Sequence, residues 1–217
     1  MSHDRKAQQW VLVGGTPLSK TVWGIEEVNF PCGYMMPPGA FAKNETALER
    51  PSSNDVWLMG GFAFELAKGG TEISESVAKK CIAGYRPWLC LFRNCLLDEL
   101  EQRRHTIEIW DRGVSIFYGL WRQSCQILGD IIPLSEFSDF SSARTVLFHS
   151  GNSTEGLGFN DYNKSAPEII HFMSQFLTVS RGDIWVQGPL VATQLPSDVK
   201  QVMFQAGDLK FEVAIKE

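Results

Sequence analysis

The chain lacks any long hydrophobic run. None of its segments approaches the ~20 consecutive apolar residues that a membrane-spanning helix requires, so no membrane role is expected. Residues 1–9 are polar and lack the apolar centre of a secretion signal, so the expected location is cytoplasmic. Positive charge is scarce as well. Twenty Lys and Arg stand against 25 Asp and Glu, and Arg103-Arg104 is an isolated pair that reads as solvated surface. A nucleic-acid binder needs a basic face to neutralise phosphates, so no nucleic-acid partner is expected at a formal charge of −5. The five cysteines, Cys32, Cys81, Cys90, Cys95 and Cys125, are odd in number and form no C-x-x-C pair. That argues against a disulfide framework and against a zinc finger, and they read as buried thiols.

General catalytic signatures are missing too. The sequence has no G-x-S-x-G elbow, no G-x-x-x-x-G-K-[ST] phosphate loop and no H-E-x-x-H helix. Only four histidines occur, His3, His105, His149 and His171, with no two at a metal-ligand spacing. Gly151, Gly156 and Gly158 lack the βαβ surroundings of a dinucleotide site and read as a mobile loop. Arg181-Gly182-Asp183 reads as a turn.

What the chain does have is an ordinary globular composition, 44 % apolar and 21 % charged, which rules out wholesale disorder. Its 217 residues suit one domain over residues 21–217 preceded by a short extension or edge segment over 1–20. Residues 10–13 and 21–25 read as strands around a Gly14-Gly15 and Pro17 turn, and 30–38 as a loop. The apolar run 56–66 is interrupted by Gly60-Gly61, which suggests two strand pieces meeting at a bulge. A helix is expected from Ser74, with Val77, Ala78, Cys81, Ile82 and Tyr85 on one face and Gly84 and Pro87 ending it. Strands are expected at 88–92, 105–110, 114–120, 125–132, 144–149 and 184–187, and residues 94–104 suit a short helix or a loop. Ser165 and Glu168 form an S-x-x-E capping box with Pro167 in the first turn, so a second helix is expected to run to Leu177. In 209–215, Leu209, Phe211, Val213 and Ile215 alternate with Lys210, Glu212 and Ala214, the period of a half-buried strand. The sum is a β-rich α+β protein.

Segment order then carries a resemblance. Residues 173–189, MSQFLTVSRGDIWVQGP, are similar to the C-terminal signature of the fumarylacetoacetate hydrolase family, in which a helix ending S-Q-F-x-T-L leads through a P-G-D turn into a strand ending T-G-T-P. Arg181 stands for the proline, and Gln187-Gly188-Pro189 is a shortened strand end. Residues 205–213, QAGDLKFEV, resemble the family's L-x-P-G-D-x-V-x-V close, and residues 73–85 resemble its V-S-E-x-x-A-x-x-Y-I-A-G-Y helix. The nearest flavour is the decarboxylase/isomerase branch that processes ring-cleavage products. The resemblance implies a mixed β-sandwich roll with a few flanking helices. It implies a homodimer, or a heteromer with a family paralogue. It also implies Mg²⁺ or Mn²⁺ on carboxylates, gripping a 2-oxo acid or enol.

Transferred residue by residue, the implied site is depleted. The E-x-E-L motif falls on Ala63-Phe64-Glu65-Leu66, so Glu65 remains and the first carboxylate is lost. The Asp of G-Y-x-x-x-N-D-V-S falls on Cys90. Near 29–36, where a His/Glu pair is expected, only Cys32 occurs, and residues 110–119 hold no Lys for the catalytic position. No metal and no other cofactor are therefore expected. The weak catalytic candidates are Glu65, Cys90, Cys32 and His105, and the candidate ligand-pocket residues are Glu65, Cys90, Gln187 and Gly188. Two readings follow. One is a non-catalytic subunit or ligand-binding homologue that does not hydrolyse acylpyruvates. The other is a metal-independent cyclase, isomerase or decarboxylase acting on a 2-oxo/enol or polyketide-like substrate. A small organic acid or polyketide-like ligand suits either.

Overall fold

The computed structural model describes residues 7–25, 31–37, 40–43, 47–52, 55–93, 99, 102–103, 106, 109–120 and 124–217. His3, His105, Cys95 and nearly all of the segment 94–104 lie outside the described residues. The described strands are β1 (Gln9–Val13), β2 (Cys32–Met36), β3 (Phe41–Lys43), β4 (Ala47–Glu49), β5 (Trp57–Leu66), β6 (Ile82–Phe92), β7 (Gln126–Leu128), β8 (Ile132–Pro133), β9 (Arg144–His149), β10 (Asn152–Gly158), β11 (Ile184–Gln194), β12 (Gln201–Ala206) and β13 (Leu209–Lys216). The helices are α1 (Leu18–Trp23), α2 (Glu75–Ala78), α3 (Ile109–Leu120), α4 (Leu134–Ser141) and α5 (Ala166–Ser174). The β-rich α+β expectation holds.

Two mixed sheets organise these elements. The larger runs β2-β1-β11-β5-β6-β7-β3, with β8 also on β6, and the smaller runs β10-β9-β12-β13-β4. Side chains of the larger sheet alternate between two cores. Leu58, Phe62, Phe64 and Trp185 face one core, shared with α5 and the smaller sheet; Met59, Ala63, Trp88, Cys90 and Val186 face the other, shared with α1 and α3. Residues 9–13 are built into the large sheet between β2 and β11.

Several local expectations fail for one reason, which is that tertiary partners outweigh local signals. Residues 21–25 do not form a strand. Residues 18–23 form α1, whose Val22 and Trp23 are buried against the second core. Residues 32–36 are not a loop but strand β2, paired along its whole length with β1. The helix expected from Ser74 shrinks to α2 and a 3₁₀ turn over 79–81, because 82–92 pair with β5 from Ile82 to Phe92. Gly84 and Pro87 therefore lie inside a strand. Pro87 sits where β6 changes its outer neighbour from β8 to β7, the kind of ladder break that tolerates a missing N–H. Residues 109–120, where strands 105–110 and 114–120 are expected, form helix α3, which buries Ile116 and Leu120. Of the expected strand 125–132, only 126–128 and 132 are strand. The glycine-bearing segment 152–158 is strand β10 rather than a loop. Helix α5 starts at its capping box as expected, with Ser165 Oγ accepting from Glu168 N, but ends at Ser174, three residues short of Leu177. Strand 209–215 alternates as expected.

The bulge expected at Gly60-Gly61 lies in the facing strand instead. Strand β5 is continuous, while the β5–β11 register shifts between Val186, Pro189 and Val191. The glycines permit this by close approach, since a Cβ at Gly61 would meet Gly188 O at 2.5 Å. Tyr162 locks the irregularity. Its buried hydroxyl accepts from Phe62 N at 3.0 Å and donates to Gly188 O at 3.1 Å, and burial raises its pKa. Tyr162→Phe leaves a buried N–H and a buried carbonyl without a partner. It is expected to cost about 1–3 kcal/mol, measured by urea denaturation; a loss within experimental scatter would remove this role.

Candidate functional site

Strands β5 and β6 run antiparallel, and their register decides which candidate residues can meet. Ala63 faces Arg86, Glu65 faces Gly84, and Cys90 faces Met59. Glu65 and Cys90 are thus six residues apart along the ladder, roughly 20 Å at the rise of a strand. The structure does not bring them into one site.

Glu65 is already engaged. Arg86 Nε donates to its Oε2 at 2.8 Å, and Arg86 Nη1 donates to Gly129 O at 2.9 Å. Both side chains are partly exposed, so the pair is a tether at the sheet surface rather than a buried charge centre.

Cys90 is fully buried between Met59 and the β7 strand. Burial holds its thiol well above the ordinary range, and the neighbouring Cys125 thiol adds to this. A nucleophilic cysteine needs a thiolate, so Cys90 has the environment of an inert core residue. The polar groups beside it are spent as well. Trp88 Nε1 donates to Gln126 Oε1 at 3.0 Å, and Gln126 Nε2 donates to Leu120 O at 2.9 Å, with Met36 Sδ 3.7 Å away. On α1, which packs against the same face, Ser19 Oγ and Trp23 Nε1 are buried without a partner.

Cys32 lies on the edge strand β2, four strands from Cys90 in the sheet. Its thiol approaches Val13 O at 3.5 Å and is raised by burial. His105 is outside the described residues. Among the described residues, no group of three or more His, Cys, Asp and Glu is placed to hold a metal ion, and no helix is long and apolar enough to cross a membrane. The segment 110–119, which holds no Lys for the catalytic position, belongs to helix α3.

Gln187 has a different setting. It lines a small cleft with a cavity volume of about 20 Å³, room for about one water molecule, between the end of β1, the following Gly14-Gly15 turn and the start of α5. Its lining draws on both cores, Leu12 and Ile169 from the first and Val13 from the second. Of the four pocket residues expected from sequence, Gln187 alone lines this cleft. Gly188 spends its carbonyl on Tyr162 and adopts φ 107° at the bulge. Sequence reasoning missed Leu12, Asn163, Lys164 and Ile169, which come together only through the pairing of β1 with β11 and the docking of α5.

A second groove, broad and open, runs beside the β9–β10 turn between Asp198, Lys200 and Glu212. His149 borders it with a buried, unpartnered Nδ1. His171 is structural, with Nδ1 2.7 Å from Ile73 O, tying α5 to the start of α2.

No protein-family profile matches the sequence, and no curated protein does. Solved structures do. The chain superimposes with a TM-score of 0.78 on a protein from Yersinia pestis assigned to the fumarylacetoacetate hydrolase family, at 18 % identity over 98 % of this chain and 95 % of that one. Fumarylpyruvate hydrolase from Pseudomonas aeruginosa, solved with Mn²⁺ and pyruvate, gives 0.76 at 15 % identity over 98 % and 93 %. A protein from Mycobacterium abscessus named as a probable 2-hydroxyhepta-2,4-diene-1,7-dioate isomerase gives 0.69 at 17 % identity over 96 % and 74 %. The chain therefore has the fold of these proteins.

Proposed function

We propose that this chain is a divergent fumarylacetoacetate hydrolase family protein that does not hydrolyse acylpyruvates, and that it acts as a non-catalytic homologue or subunit. The observation that carries this reading is the cross-strand pair Met59–Cys90. A Mg²⁺ or Mn²⁺ ion holds its oxygens at about 2.1 Å, so its protein ligands must sit on neighbouring backbone positions. If Cys90 stands at the family's aspartate, the two carboxylates spaced i, i+2 that could meet it lie at Met59 and Gly61. The pair read from sequence, Ala63 and Glu65, is too far along the strand. On that register all three carboxylates are gone, and Met59, Ala63, Trp88 and Cys90 fill the space with a closed apolar core.

The donor set present does not fit a hard divalent cation. Reading the site at Ala63 and Glu65 instead does not help, because the β6 residue opposite is Arg86. Its guanidinium already neutralises Glu65 and would repel a cation. A protein of the same fold was solved in complex with Mn²⁺ and pyruvate; where a cation acts in such chemistry it stabilises developing negative charge, a contribution typically worth several kcal/mol. Among the described residues, no charged side chain packs beside the Met59–Cys90 pair to replace it.

Isothermal titration of the purified chain with Mg²⁺ and with Mn²⁺, alongside an acylpyruvate hydrolysis assay, tests the reading. The expected result is no saturable binding below millimolar cation and no turnover stimulated by metal. Micromolar affinity that disappears in Glu65→Ala, with metal-dependent turnover, would overturn it.

A further inference from the structure

We propose that the groove beside the β9–β10 turn is a binding site for a linear aliphatic diamine, a small molecule with an ammonium group at each end of an apolar chain. The groove is built on the smaller sheet, so the proposal does not rest on the reading above, which concerns the larger one.

Strand register sets its floor. Met203 on β12 lies directly opposite Phe148 on β9 and directly opposite Glu212 on β13. Cross-strand partners share a face, with Cβ atoms about 4.5–5.5 Å apart. Phe148, Met203 and Glu212 therefore form one row, two apolar side chains leading to a carboxylate, and all three line the groove. An alkyl chain lying on the first two brings a terminal ammonium to the third.

Charge sets the head groups. Asp198 lines the groove as well, and among the described residues neither Asp198 nor Glu212 takes part in an ion pair. Lys200, the lysine of the lining, is paired with Glu217. Two uncompensated carboxylates thus remain beside an apolar floor. They repel an anion and complement a molecule with two cationic ends on an aliphatic chain. His149 adds an independent sign of a ligand. It lines the groove, is 8 % exposed, and its Nδ1 is buried without a hydrogen-bond partner. Buried polar side chains are ordinarily satisfied, and a neutral imidazole has one acceptor nitrogen, which suits an ammonium N–H. At about 470 Å³ the groove has the size of a small-molecule site.

The probes are 1,6-diaminohexane, 1-aminohexane and 1,6-hexanediol, which share one stem and differ in charge. In ¹⁵N-labelled protein the diamine is expected to shift the backbone resonances of His149, Gly151, Met203 and Glu212, with saturation. The monoamine is expected to bind about five-fold more weakly, the ratio that one exposed ion pair confers, and the diol is expected not to saturate. Glu212→Gln and Asp198→Asn are each expected to weaken the diamine about five-fold by the same reasoning. Both side chains are exposed, so folding is not at stake. Glu136→Gln removes the same charge from an exposed position on α4, outside the groove, and is expected to leave binding unchanged. The proposal is overturned if the diamine shows no saturation below about 10 mM, or if the diol binds as well as the diamine. It is also overturned if Glu212→Gln leaves binding unchanged, or if Glu136→Gln weakens it as much, which would make the net charge of the chain the source of attraction.

Discussion

Cys90→Asp is expected to destabilise the fold by about 3–5 kcal/mol, the cost of an uncompensated charge in an apolar interior, and saturating Mg²⁺ is expected to restore none of it. The site is fully buried among Met59, Ala63, Trp88 and Phe92. The nearby polar side chain, Gln126, has already committed both ends of its amide. A carboxylate placed there cannot reach water, and the side chain beside it, the Cys125 thiol, is only a weak donor. A loss of this size is a large part of the roughly 5–15 kcal/mol that holds a typical domain together. Thermal and urea unfolding followed by circular dichroism, with and without Mg²⁺, measures it, and Cys90→Ala serves as the size control. The informative alternative is an aspartate variant whose midpoint recovers with Mg²⁺. That outcome would mean that the face opens and can hold a cation after all, and the proposed function would fall with it.

The second large effect is expected at Asp183. Its side chain is fully buried at the turn into β11. Oδ1 accepts from Gln8 N at 2.7 Å and Oδ2 accepts from Ser180 N at 2.8 Å. Gln8 leads directly into β1, so this carboxylate clamps the start of β1 to the centre of the large sheet. Hydrogen bonds to an ionised group contribute about 1.5–3 kcal/mol each, so Asp183→Ala is expected to lose about 3–5 kcal/mol. Amide exchange should accelerate at Gln8 and Ser180 before it does in β5 or β6. Asp183→Asn keeps one acceptor and should recover part of the loss. An alanine variant within about 1 kcal/mol of the native chain would show that the clamp is dispensable. The same burial settles Arg181-Gly182-Asp183 as an internal turn, because its carboxylate is not available to a surface partner.

The sequence by itself determined the features encoded over a few residues. Ser165 and Glu168 announce a helix start because the capping box is built from residues three apart, and it forms where expected. The turn at 181–183 and the alternation of Leu209, Phe211, Val213 and Ile215 are equally local. The order of these segments was enough to point to the fold that the solved relatives share. Only the tertiary structure decided the rest. Residues 109–120 carry Ile, Val, Phe and Tyr, which favour strands locally, yet they become helix α3 because the second face of the sheet needs a cover and accepts Ile116 and Leu120. Residues 82–92 become strand because β5 offers a ladder along their whole length. The site was hidden for a related reason. Placing a carboxylate pair at Ala63 and Glu65 rather than at Met59 and Gly61 leaves the local pattern almost equally plausible, since both pairs are spaced i, i+2 and share a face. Which pair lies against Cys90 depends on the register between two strands. Register is fixed by packing across the whole sheet rather than by any one residue's neighbours in the chain.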